Sequence, residues 1–126
     1  MIKKFASTSP QYKAINCNGI TIQARIADTD ESRIKGLAGI GSLGNNEGML
    51  FDFGTEQPVS FWMRGTSLNL AIAFVTKDRI IVGINEMLKD APTHLHNSPI
   101  PVRYALEMSS GFFTKHNIAI GDKISF

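Results

Sequence analysis

The chain has 126 residues, of which 43% are apolar, 13 are basic and 11 are acidic. This length and composition predict one folded domain with a single core, and they exclude a disordered chain. The net charge of +2 is nearly balanced and the lysines and arginines are scattered, so we predict no nucleic-acid partner.

The chain carries few signals for cross-linking or targeting. Its single cysteine, Cys17, excludes an intrachain disulfide and a cysteine-rich zinc site. No run of about 20 apolar residues is present, so we expect no membrane-spanning helix. Residues 1–11 lack the apolar run of a secretory signal and are predicted to be a loose segment before a single domain over 12–126. We therefore expect a cytoplasmic protein, exported only if a signal has been removed.

The first predicted element is a hairpin. Asn18-Gly19 separates the β-forming runs Tyr12–Cys17 and Ile20–Ala27, and both residues tolerate the positive φ of a tight turn. The second run alternates apolar and polar residues, which is typical of a strand with one buried face.

A short helix is predicted next. Asp28 and Glu31 have the spacing of a capping box, and the helix would run from about Thr29 to Lys35. Gly36 can end the helix in the left-handed conformation. Residues 36–48 are rich in glycine and asparagine, which predicts a loop.

The middle of the chain predicts further strands at 49–53, 59–64 and 68–76, followed by a turn and a strand over 80–87. The run 68–76 is nearly all apolar, which indicates a central strand covered on both faces.

The last third begins with a long loop over 88–101, which holds three prolines and two histidines. A strand over 102–108 follows, then a short helix capped by Ser109-Ser110 and ending near His116, and a final strand within 117–126. About seven strands and two short helices predict a mainly β fold, a compact antiparallel β-barrel or sandwich. We expect the sheet to close, because closure removes exposed edges.

Three short segments carry a family resemblance: Glu47–Phe51, Ser60–Arg64 and Tyr104–Glu107, with Gly111 and 118–122 after them. In this order and spacing they resemble the uncharacterised domain of unknown function family 192 over about residues 20–126. The resemblance implies a compact β-rich fold and brings no activity with it. The family usually has Pro-Leu-Asp where this chain has Asn69-Leu70-Ala71, so it implies no chemistry that depends on that aspartate.

Trp62, Arg64 and Glu107 are candidate binding residues. Trp62 and Arg64 are two residues apart on one predicted strand, so they share a face and can hold a ligand by stacking and charge. The alternative is that Trp62 packs in the core and Arg64 pairs with a carboxylate. Glu107 can act as a general acid or base, or as a buried partner of Arg64 or Arg103. Since a buried unpaired carboxylate is costly, we favour pairing.

His94 and His96 can place two imidazoles on one side of an extended segment, which is half of a metal site. Glu86, Asp90 or His116 would have to supply a third ligand. We favour the simpler interpretation that both histidines are solvated, and we predict no metal and no cofactor. The chain also lacks a phosphate loop and a nucleophile elbow, and Cys17 is expected to be inert.

The function we favour is a non-enzymatic binding or adaptor domain that presents loops 36–48 and 88–101 to a protein partner or a small ligand. Its predicted recess is lined by Trp62, Arg64, Glu107, His94 and His96.

Two alternatives remain open. One is a small metal-dependent or acid/base hydrolase that uses His94, His96 and Glu107, which would require these side chains to converge. The other is an adaptor that inhibits or redirects another protein, which would require a large exposed apolar patch.

Overall fold

The computed structural model describes residues 11–126, so the loose segment predicted for residues 1–11 lies outside them except for Gln11. The described residues form eight strands in two sheets and two short helices, which confirms the prediction of a mainly β fold. None of these helices is long and apolar enough to cross a membrane.

The elements follow one another in chain order as β1 (Tyr12–Cys17), β2 (Ile20–Ala27), α1 (Asp30–Lys35), β3 (Glu47–Gln57), β4 (Ser60–Phe61), β5 (Leu70–Val75), β6 (Ile81–Met87), β7 (His96–Asn97), β8 (Val102–Ser109) and α2 (Phe112–Lys115). The larger sheet has the strand order β1-β2-β3-β8-β5-β6, and β4 and β7 form a separate antiparallel pair.

The predicted hairpin at Asn18-Gly19 is present. Asn18 has φ 51° and Gly19 has φ 77°, and β1 pairs antiparallel with β2 so that Ile15 faces Ile22. Two consecutive residues with positive φ match the right-handed twist of the strands that they join. The predicted central strand is also present, since all six residues of β5 are buried and β5 lies between β8 and β6.

One strand pair departs from the predicted antiparallel arrangement. β2 and β3 run parallel, with Gln23 opposite Glu47. Two parallel strands cannot be joined by a tight turn and need a long crossover. Residues 28–46, which contain α1, supply that crossover.

The first helix and its cap both begin one residue later than predicted. Thr29, rather than Asp28, is the N-cap, and its hydroxyl accepts a hydrogen bond from the backbone N–H of Ser32. The Ser32 hydroxyl in turn accepts a hydrogen bond from the backbone N–H of Thr29. Ser32 therefore fills the capping-box position predicted for Glu31. Gly36 ends the helix with a positive φ of 50°, but its ψ of −133° lies outside the left-handed helical conformation that was predicted.

The second helix does not start at the predicted Ser109-Ser110 cap. Ser109 belongs to β8, and the Ser110 hydroxyl donates to the carboxylate of Glu86 instead. Gly111 is the N-cap of α2 and makes no side-chain capping bond.

The expectation that the sheet closes is also wrong. The six strands do not pair end to end, and the strand predicted within 117–126 is reduced to two isolated bridges. One bridge joins Ser125 to Asn16 in β1, and the other joins Lys123 to Ile80 next to β6. The last residues therefore contact both edges of the sheet without forming a continuous ladder.

Each face of the larger sheet carries its own apolar cluster. Tyr104, Leu106 and Met108 of β8 belong to the first cluster, which α2 covers through Phe112 and Phe113. Ala105 belongs to the second cluster, with Phe51 and Leu37. Because side chains alternate along a strand, Glu107 points to the same face as Ala105.

Candidate functional site

A cavity of about 750 Å³ opens on the second face of the sheet. Its walls come from four places: α1 with the two residues after it, the strand β3, β4 with residues 62–66, and β8 through Glu107. The volume lies within the range of roughly 300–1,000 Å³ that is typical of small-molecule sites.

Aromatic rings form one wall of this cavity. Phe51 and Phe53 of β3 are two residues apart and both contact Phe61 of β4 edge-on, with ring centroids 4.9 Å and 6.1 Å away. Leu37, which is buried, adds an aliphatic surface beside Phe51. Edge-to-face packing fixes these rings, so the wall is rigid and apolar.

Glu107 lies on the cavity and is only 4% exposed. Its backbone is held in the middle of the sheet, opposite Met49 on one side and Ile72 on the other. Within residues 11–126 its carboxyl group has no hydrogen-bond or ion-pair partner. Burial raises the pKa of Glu107 to about 8, so the carboxyl group is mainly protonated at neutral pH. A protonated carboxyl both donates and accepts a hydrogen bond.

The pairing expected for Glu107 is not found. Arg103 instead pairs with Asp52, at 3.1 Å between Nε and Oδ1. Burial alone would raise the pKa of Asp52. The hydrogen bonds that it accepts from Arg103 and from the Gly54 N–H act in the opposite direction, as do the charges of Arg103 and Arg33. Together they outweigh burial and lower the pKa of Asp52.

Trp62 and Arg64 lie at the mouth of the cavity, beyond the end of the two-residue strand β4. Trp62 is 49% exposed, and the guanidinium of Arg64 lies 4.5 Å from its ring centroid. Trp62 is thus not a core residue, and Arg64 stacks on Trp62 rather than pairing with a carboxylate.

The helix α1 also borders the cavity, although no sequence pattern had indicated it as part of the site. Arg33 and Lys35 border the cavity, as does Ile34, which is 86% exposed. Arg33 is anchored by Asp30 at 2.8 Å and by the backbone carbonyl of Asp52 at 2.7 Å. An apolar residue between two cations on a short helix is the sequence signal that could have suggested this surface.

His94 and His96 do not line the cavity. β7 pairs with β4 so that His96 faces Phe61, and His96 is only 7% exposed. The rings of His94 and His96 contact each other with centroids 4.7 Å apart. His94 is exposed as predicted, but the expectation that His96 is solvated is wrong.

The histidine pair is nonetheless incomplete as a metal site. No group of three histidine, cysteine, aspartate or glutamate side chains that could hold an ion occurs between residues 11 and 126. Nε2 of His96 is buried and has no hydrogen-bond partner among the described residues. Burial, together with the nearby His94, lowers the pKa of His96, so the imidazole is favoured in its neutral form.

Cys17 lies far from this chemistry in the first apolar cluster. Burial, and to a smaller extent the charge of Asp122, raises the pKa of its thiol. A thiol in this environment is a poor nucleophile, in line with the expectation that it is inert.

Family and structural comparisons agree with this architecture. The profile of the domain of unknown function 192 family, described as an uncharacterized ACR, matches residues 13–126. The chain belongs to this family. No curated protein matches the chain.

Two solved structures of similar proteins share the fold. One, from Sinorhizobium meliloti 1021, is titled a "putative transcription regulator"; it is 27% identical with a TM-score of 0.89, and the match covers 95% of this chain and 97% of that one. The other is a protein of unknown function from Novosphingobium aromaticivorans DSM 12444, 27% identical with a TM-score of 0.88 over 97% and 90% of the two chains. The family is described as uncharacterized, so membership establishes the fold and implies no particular activity.

Proposed function

We propose that this family 192 domain binds a small organic molecule in the cavity between α1, β3 and β4. The observation that carries the proposal is the combination of an aromatic-walled cavity of about 750 Å³ with a buried carboxyl group, that of Glu107, which has no partner among the described residues. The Glu107 oxygens are not among the fully enclosed unsatisfied atoms, so they can be reached from the cavity, and a ligand there can supply the hydrogen bond that the described residues do not.

The mouth supports the same proposal. Trp62 offers a half-exposed aromatic face, and Arg64 is held against that face. Loop 36–48 contributes Gly36 and Leu37 to the lining. Loop 88–101 contributes no lining residue, but its short strand β7 supports β4 by pairing with Ser60 and Phe61.

Binding is favoured over hydrolysis by the chemistry of the lining. Two hydroxyl groups line the cavity, those of Ser60 and Thr66, and the Ser60 hydroxyl donates a hydrogen bond to Oδ1 of Asn97 at 2.7 Å. A serine nucleophile needs an adjacent base, and neither histidine reaches the cavity. The hydrolase alternative would therefore have to use Glu107 alone.

A role in transcription, by analogy with the name of the Sinorhizobium meliloti protein, has less support. The helices described here contain six and four residues, whereas a recognition helix must extend into the major groove. The balanced charge likewise gives no basic footprint for phosphates.

The test is a thermal-shift screen of a metabolite library, followed by calorimetric titration of the hits. Trp62 is the only tryptophan, so its fluorescence reports binding at the mouth directly. We expect hits that stabilise the wild type and lose affinity about tenfold or more in Trp62→Ala and Glu107→Leu variants. Ile120→Ala is the matched control, because Ile120 is exposed and lies outside the cavity.

The proposal is wrong if no compound stabilises the protein. It is also wrong if the cavity variants and Ile120→Ala bind every hit equally well. Capture of a protein at the exposed apolar residues of loop 88–101, namely Leu88, Leu95 and Ile100, with no small-molecule hit would favour an adaptor instead.

A further inference from the structure

We propose that the ligand of this cavity is an apolar acid that places its carboxylate at the mouth and a neutral hydrogen-bond acceptor, such as a carbonyl, at Glu107. This inference rests on the proposed function and adds to it the chemical class and the orientation of the ligand.

The mouth is cationic. Arg33, Lys35 and Arg64 border the cavity, and Asp30 is the only acidic residue beside them at the rim. Arg33 is already engaged by Asp30 and by the carbonyl of Asp52. Lys35 and Arg64 make no ion pair or side-chain hydrogen bond within residues 11–126, so both are free to bind an anion.

Arg64 is the better placed of the two for a carboxylate. Its guanidinium is stacked on Trp62 at 4.5 Å from the ring centroid, which restricts its position before a ligand arrives. A guanidinium offers two parallel N–H donors that match the two oxygens of a carboxylate, and such charge-assisted bonds are among the strongest in proteins.

The buried end of the cavity, at Glu107, favours a neutral group rather than an anion. Glu107 is surrounded by apolar strand residues and has no cation beside it, so a second anion there would remain uncompensated. Its protonated form donates an O–H, and the matching group is a neutral acceptor. A ligand ammonium could pair with an ionised Glu107, but it would have to pass the cationic mouth.

The body of the ligand must be apolar to fill the space between these two ends. Phe51, Phe53 and Phe61 form the wall that it would contact. Their edge-to-face arrangement presents ring edges and faces that suit a flat or aliphatic body.

The inference can be tested with four matched probes, each in a phenyl and a biphenyl series so that length does not decide the outcome. The first, para-acetylbenzoate, has both the carboxylate and the carbonyl. The second, para-isopropylbenzoate, lacks the acceptor, and the third, methyl para-acetylbenzoate, lacks the charge. The fourth, para-acetylbenzylammonium, carries the opposite charge. Affinities are measured by calorimetry and by Trp62 fluorescence.

We expect the acetyl carboxylate to bind at least tenfold more tightly than each of the other three probes in one of the two series. Arg64→Ala should weaken the acid about tenfold and leave the methyl ester unchanged. Glu107→Leu should weaken the acetyl acid but not the isopropyl acid, whereas Glu107→Gln, which keeps a donor, should retain most of the affinity. Lys13→Ala, at a cation outside the cavity, is the control for general loss of charge.

If the ammonium or the ester binds best and is lost in the cavity variants, the ligand class and orientation are wrong while the proposed binding function stands. Equal binding of the two acids would overturn the contact with Glu107. If none of the four probes binds in either series, the inference is wrong, and the library screen then decides the proposed function separately.

Discussion

Gly48 of β3 packs directly against the backbone carbonyl of Glu107 in β8. A Cβ atom on residue 48 would overlap both this oxygen and the sulfur of Met108. Gly48 was predicted to belong to a loop, but it is the second residue of β3 and is buried. The close approach of the two strands at this glycine fixes the backbone of the residue that forms the polar end of the cavity.

Replacing Gly48 with alanine should therefore destabilise the fold. We expect Gly48→Ala to lower the free energy of unfolding by about 1–3 kcal/mol, because the added methyl group forces β3 and β8 apart. Urea denaturation followed by circular dichroism measures the change. Gly41→Ala is the matched control, since its Cβ would meet nothing within 4 Å, and it should change stability by less than about 0.5 kcal/mol. Equal effects of the two substitutions would contradict the close approach.

The buried carboxyl group makes stability depend on pH. Burial raises the pKa of Glu107 from 4.5 to about 8, so the folded state binds its proton more tightly than the unfolded state does. The stabilising effect of this proton is complete below pH 4.5 and is lost as the pH rises to about 8. Relative to Glu107→Gln, the wild type should lose up to about 1.4 kcal/mol of unfolding free energy per pH unit in that window.

Denaturant unfolding of both proteins between pH 5 and pH 9 tests this dependence, since only the difference between them reports Glu107. We expect the unfolding free energy of Glu107→Gln to exceed that of the wild type by a margin that grows as the pH rises. The margin should level off above about pH 8. Two parallel stability curves would show that Glu107 keeps an ordinary pKa.

The ion pair between Asp52 and Arg103 should contribute only modestly. Both side chains are partly exposed, so water screens their attraction. We expect Asp52→Asn to cost less than about 1 kcal/mol at pH 7. Because the pKa of Asp52 is lowered below 3.8, this contribution is lost as the pH falls through that lower value. A double-mutant cycle with Arg103→Gln, repeated at neutral and acidic pH, measures the coupling energy between the two side chains. A coupling energy that is the same at both pH values would contradict a lowered pKa for Asp52.

The contact between His94 and His96 can be detected by nuclear magnetic resonance. His96 should titrate below 6.5, chiefly because it is buried and in smaller part because His94 is close. In His94→Ala only the burial remains, so the pKa of His96 should rise while staying below 6.5. A plot of the chemical shift of the Hε1 proton of His96 against pH gives this pKa. His116→Ala, which leaves the pair intact, should leave the titration of His96 unchanged.

Local patterns predicted much of the fold. Asn18-Gly19 specifies a turn by its own backbone preferences, and the apolar run within 68–76 can only be a strand or helix covered on both sides. Alternation along β8 places Leu106 and Glu107 on opposite faces of the sheet, and this depends on residue spacing alone.

Long-range pairing could not be predicted in the same way. The parallel pairing of β2 with β3 depends on where the crossover through α1 places the chain, and no residue in either strand encodes that direction. The strand predicted over 59–64 is cut to Ser60–Phe61 because its partner, β7, contains only two residues.

The same difference between local patterns and long-range packing applies to the candidate site. Trp62, Arg64 and Glu107 were chosen for their chemistry, and the fold places all three on one cavity. His94 and His96 were grouped with them because they share a polar loop, but β7 turns His96 away into a separate buried contact. The part played by α1 was missed because a six-residue helix without a buried face has no amphipathic pattern.

The two bridges made by Ser125 and Lys123 have a consequence for biosynthesis. Asn16 and Ser125 exchange hydrogen bonds across more than a hundred positions of sequence, so the outer strand β1 lacks this neighbour while the chain is still being translated. Contacts of such high sequence separation slow the search for the native state. The outer edge of the first hairpin therefore stays unpaired at Asn16 until residue 125 has left the ribosome, and the Asn16 amide should gain its protection from hydrogen exchange only then.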